Sequence, residues 1–92
     1  MKLEDVAVIK TNFPEADFWI TRRGSLDTVG KPTKEYNPES IGIKVESNML
    51  LPEYMYYVFM HMHQSGVWKQ HAHGTTNLVN IKLSDVKNIP LR

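Results

Sequence analysis

Between Leu51 and Gly66 the chain reads Leu-Pro-Glu-Tyr-Met-Tyr-Tyr-Val-Phe-Met-His-Met-His-Gln-Ser-Gly, and no other run constrains the fold as strongly. Pro52 suits the first turn of a helix, where its missing N–H costs nothing, and Glu53 suits the positive end of the helix dipole. Gly66 supplies a C-terminal stop. The pattern predicts one central helix over about 52–65. Nearly every side chain from Tyr54 to Met60 is apolar or aromatic, so this is not a simple surface amphipath. It should be covered on most sides, by a sheet and by a loop or a second chain. The plain reading makes the whole stripe core. A sharper one makes Tyr54, Tyr56 and Tyr57 the contact in a homodimer.

Strand signals surround this helix. Residues 3–9 read as a helical turn or a first strand, with Val6, Val8 and Ile9 favouring strand toward the end. Thr11-Asn-Phe-Pro14 reads as a turn, because the residue before proline avoids helical geometry. Phe18-Trp-Ile-Thr21 is a strand ended by Arg22-Arg23-Gly24-Ser25. From Leu26 to Ser40 Gly30, Pro32, Asn37 and Pro38 break any period, which predicts a long loop of the kind that is often functional. Ile41-Gly-Ile-Lys-Val45 alternates as a half-buried strand does. Residues 71–77 read as a polar loop and Leu78–Leu83 as a strand. A last helical turn, Ser84–Ile89, has Ser84 as its N-cap and Pro90 as its stop. The expected fold class is α+β: a single small domain over 1–92, with a curved, mainly antiparallel sheet packed on the 52–65 helix.

Composition narrows the function classes. At 92 residues the chain holds one core, and 41% hydrophobic with 23% charged residues excludes wholesale disorder. There is no cysteine, so disulfide and thiolate chemistry are excluded. No apolar run reaches the roughly 20 residues that span a bilayer. The opening Met-Lys-Leu-Glu-Asp is unlike a signal peptide, so a cytoplasmic protein is expected. The net charge of only +1 means that any DNA binding must come from local clustering of cations.

Three constellations invite a chemical reading. The four histidines form two His-x-His pairs, His61/His63 and His71/His73. On a helix the first pair points to different faces. The second shares a face only if extended, and even then needs a ligand from elsewhere, so no metal or other cofactor is expected. Ser25, His71 and Asp85 can be combined on paper, but no nucleophile elbow, phosphate loop or dinucleotide fingerprint accompanies them, and a non-enzyme is expected. The third is cationic: Arg22, Arg23, Lys31 and Lys34, joined by Lys10 and Lys69. Arg22 and Arg23 adjoin Gly24 and Ser25, whose backbone N–H groups can approach a phosphate. Arginine matches guanine edges and Asn or Gln matches adenine, and Gln70, Thr75, Thr76 and Asn77 offer such groups on a second polar loop. The alternative is a solvated surface with weak ion pairs to Asp17, Asp27 and Glu35.

The wording of the tail adds a family. Gly74-Thr-Thr-Asn-Leu-Val-Asn-Ile-Lys-Leu-Ser-Asp-Val-Lys-Asn-Ile-Pro-Leu-Arg92 resembles the end of a target recognition domain from the specificity subunits of type I restriction-modification systems. Lys2-Leu-Glu-Asp-Val-Ala7 is similar to the opening of such domains, and Ile20-Thr-Arg-Arg-Gly-Ser25 to their strand and Arg-Gly-Ser/Thr turn. Val29-Gly-Lys31 and Leu51-Pro-Glu-Tyr-Met-Tyr-Tyr57 are similar to two further phrases. The resemblance implies a mixed α/β module that reads a few base pairs of double-stranded DNA and does no chemistry itself. It makes Arg22, Arg23, Lys31 and Thr75-Thr76-Asn77 the DNA-facing residues, and methyltransferase subunits candidate partners. Specificity subunits carry two such domains with long helical spacers, whereas this chain matches one domain without a spacer. A free-standing relative is therefore expected, acting as a DNA-binding module. The alternative is a protein-interaction module that keeps the fold without binding DNA.

Overall fold

Ile41-Gly-Ile-Lys-Val45 forms the strand around which the first sheet is built. A computed structural model describes residues 1–48, 50–74 and 78–91 of the protein. A single 3-10 turn, Leu3–Asp5, leads into β1, Ala7–Thr11. β2 is Phe18–Ile20, β3 Arg23–Gly24, β4 Pro32–Thr33 and β5 Ile41–Val45. Helix α1 spans Pro52–Gln64 and α2 Val67–His71. β6 is His73–Gly74, β7 Val79–Asn80, and α3 Leu83–Lys87. The fold class is α+β, and the strands fall into two antiparallel sheets, ordered β1-β5-β2-β4 and β3-β7-β6.

In β1, Ala7 and Ile9 face the core while Val8 and Lys10 face out, opposite Ile43 and its neighbours of β5. α1 lays Met55 and Phe59 on this sheet, and Phe18 meets Phe59 and Tyr56 edge-on. The chain then leaves the sheet at Thr21. Its N–H donates to the Lys31 carbonyl at 3.1 Å and its carbonyl accepts from Gly30 N–H at 2.8 Å. Two residues on, β3 joins the second sheet. Val79 and Ile81 bury into the same cluster as Phe18, Ile20, Phe59, Trp68 and Val86, so one core serves both sheets. The two ends close on each other: Leu3 N–H donates to Ile89 O at 2.8 Å and Leu91 N–H to Met1 O at 2.7 Å.

Several expectations change. The Arg22–Ser25 turn contains β3, and the 26–40 loop contains β4, where Pro32 sits on an edge strand that needs no N–H from it. The 71–77 segment contains β6. Residues 67–71 form α2, and its Trp68 is 1% exposed. The 78–83 strand shrinks to Val79–Asn80. The last helix is Leu83–Lys87, and its N-cap is Lys82, two residues before the expected Ser84. Asp85, not Ser84, satisfies the helix start by accepting from Lys82 N–H at 3.1 Å. α1 is less covered than expected: Tyr54 and Tyr57 are 59% and 66% exposed. Gly66 ends α1 as expected, with φ of +81°.

Candidate nucleic-acid interface

The second sheet owes its chemistry to its register. Arg23 lies opposite Asn80, and Asn80 opposite His73, so the three form one row across β3, β7 and β6. Residues opposite one another in antiparallel strands put their side chains on the same face, and successive residues alternate. Val79 is buried, so the Arg23–Asn80–His73 row lies on the outer face. Strands about 4.8 Å apart give the row a span of roughly 10 Å. His73 Nε2 lies 3.3 Å from Asp85 Oδ2, which holds the imidazole at one end of the row. Beside it a shallow depression of about 150 Å³ is lined by Arg23, Gly24, Leu78, Val79 and Asn80. Leu78 is 77% exposed. Thr75, Thr76 and Asn77, which connect β6 to β7, lie outside the described residues.

The cations expected to act with Arg23 divide. Arg22 is half-buried, and its Nε is buried without a hydrogen-bond partner. Lys31 is exposed next to the Thr21 ladder. Lys69 and Gln70 are exposed on α2, directly ahead of β6. Lys69 pairs with Asp27 at 3.4 Å, an exposed contact that holds little energy and leaves the ammonium accessible. Lys34 belongs elsewhere. It donates to Glu53 of α1 at 2.6 Å and lies over the Tyr56 ring. The hydrogen bond to Glu53 raises its pKa above the ordinary 10.5, against a smaller opposing effect of desolvation. Its charge is directed to α1, not to the second sheet. Lys10 lies over the Phe13 ring on the first sheet.

The expected phosphate cradle at Gly24-Ser25 is also occupied. Ser25 N–H donates to Thr28 Oγ1 at 3.0 Å, and the two hydroxyls lie 3.1 Å apart. Asp17 accepts from Val45 N–H at 2.8 Å, so it serves the strand and not the arginines. The histidines go separate ways. His63 contacts the Asp27 carbonyl, His71 lies against Trp68, and His73 against Asp85. His71 is helical and His73 is in a strand, so the extended geometry that would let them chelate together is not formed. No group of three metal-ligating side chains occurs among the described residues. Ser25, His71 and Asp85 each have partners outside that trio.

Family models, curated proteins and solved structures were all searched, and none matches this chain.

Asn80, His73 and Leu78 are the residues that sequence reasoning missed at this site. Asn80 carried a signal, as a polar residue between Val79 and Ile81 in a strand pattern, and therefore a side chain on the outer face. His73 joins it only through strand pairing. Of the expected DNA-facing set, Arg23 is in the row and Lys31, Lys69 and Gln70 are exposed on neighbouring segments. Arg22 is packed and Lys34 is engaged with α1.

Proposed function

We propose that this protein is a non-enzymatic DNA-binding module, similar to a target recognition domain, that reads duplex DNA with its β6–β7 hairpin in a cytoplasmic setting. The observation that carries the reading is the outward row of Arg23, Asn80 and His73 in register across three strands. A major groove about 12 Å wide admits a two-stranded β-ribbon. In that position Asn80 offers the donor and acceptor that match adenine, and exposed Leu78 matches a thymine methyl group. Arg23 neutralises phosphate at the flank, and Lys31 and Lys69 are further exposed cations that can add to it. Among the described residues no helix is long and apolar enough to cross a membrane.

The test separates the two roles by fluorescence anisotropy on labelled duplexes. Arg23→Ala should weaken binding to every sequence and lower the salt slope by about one. Asn80→Ala should keep the salt slope and lose discrimination between sequences, by about tenfold at the base it reads. Identical behaviour of both variants and the parent protein would sink the assignment. A protein-interaction module without DNA is the second reading, favoured by the exposed Tyr54 and Tyr57 of α1. It requires that no duplex binds even at low salt.

A further inference from the structure

α1 carries two stripes. Met55 and Phe59 are buried in the core, with half-buried Met62 packed against it. Tyr54, Val58 and His61 run along the helix beside them, and Leu51, the extended N-cap residue, precedes the stripe. Leu51 is 72% exposed, Tyr54 59% and the neighbouring Tyr57 66%. Along the same helix lies an apolar groove of about 560 Å³. Its walls include Tyr54, Val58 and Met62 on one side and Val6, Pro90 and Leu91 on the other. Met1, 74% exposed, extends the rim.

We infer that this face is where a second copy of the chain docks, the two α1 helices packing antiparallel about a two-fold axis near Tyr57. Three features choose that occupant. The first is extent: a small molecule would fill the groove and leave Leu51 and Tyr57 in water, whereas a protein surface covers groove and side chains together. Two tyrosines at these exposures offer on the order of 150 Å² each. With Leu51, Met1 and the groove walls, the patch is of the size of the low end of specific interfaces, about 600 Å² per partner. The second is charge. A two-fold axis sets like against like, so a charged face repels its own copy. None of the α1 side chains of this stripe is a fixed charge, and Glu53 beside it is tied to Lys34. The third is direction: antiparallel helices put the Glu53 end of one dipole by the His61 end of the other. Tyr56 takes no part, since it is half-buried against Phe18 and under Lys34.

The inference is independent of DNA binding. Sedimentation of the intact protein from micromolar to millimolar concentration should show a mass rising to twice the 10.6 kDa of the chain. Tyr54→Glu should weaken self-association by about tenfold or more while circular dichroism stays unchanged. The chain has no native cysteine, so Tyr57→Cys should form an interchain disulfide on oxidation, and Glu39→Cys, exposed on another segment, should not. A monomer at every concentration would overturn the proposal, as would a dimer indifferent to Tyr54→Glu or lacking the Tyr57→Cys cross-link. A monomer that native mass spectrometry finds carrying an added small molecule would also overturn it.

Discussion

Adjacent arginines in this chain do different things. Arg22 ends the run out of β2, gives its carbonyl to Ile81 N–H at 3.0 Å, and holds its Nε away from solvent without a partner. Arg23, one residue on, faces out from β3. The long arginine stem contributes by packing as well as by charge. Arg22→Ala should therefore lower stability by about 1 kcal/mol. Arg23→Ala should stay within about 0.5 kcal/mol of the parent protein. Urea denaturation of the two variants checks this, and equal stabilities would show that the packed and exposed roles are not distinct. Lys34 makes the same point about position. Its raised pKa means that Lys34 carries its charge at neutral pH and loses it only as pH rises past a value above 10.5. At neutral pH that charge is already engaged with Glu53 of α1.

Gly30 shows how the elements fit. A Cβ there would lie 1.9 Å from Trp68 Cδ1, and its φ is +79°. The turn after β3 thus lies directly on the indole that anchors α2, and α2 leads straight into β6. Gly30→Ala should cost about 2–5 kcal/mol from backbone strain and overpacking together. Thermal unfolding measures it, and an unchanged midpoint would contradict this packing. The elements that local sequence specified were those long enough to show a period. The bounds of β5 were legible from its apolar pattern, although Ile41, Gly42 and Ile43 are all buried and do not alternate, and α1 was legible from Pro52 and Gly66. The two-residue strands β3, β4, β6 and β7 were not, because two residues show no period and only their partners make them strands. α2, at five residues, is too short to stand on its own propensity and exists through the burial of Trp68. The site followed the same rule. Arg23 could be read from its charge, whereas His73 and Asn80 join it through pairings between distant segments.

At the scale of the whole molecule, one core unites a sheet that packs on α1 and a sheet that carries the polar row. The net charge of +1 gives the protein no general attraction for polyanions, so affinity for DNA has to be local. Arg23 in β3 and Lys82 just after β7 are exposed cations of the second sheet and its flank, with Lys31 and Lys69 exposed on other segments, and the apolar α1 face adds none. Binding should therefore be modest in strength and dependent on only a few phosphate contacts. The measurement that tests this most directly is binding of the purified protein to random-sequence duplex DNA, titrated from low to physiological salt. The account predicts measurable binding at low salt that weakens as salt rises, with a slope set by those few contacts. No binding at low salt, or binding that ignores salt, would contradict it.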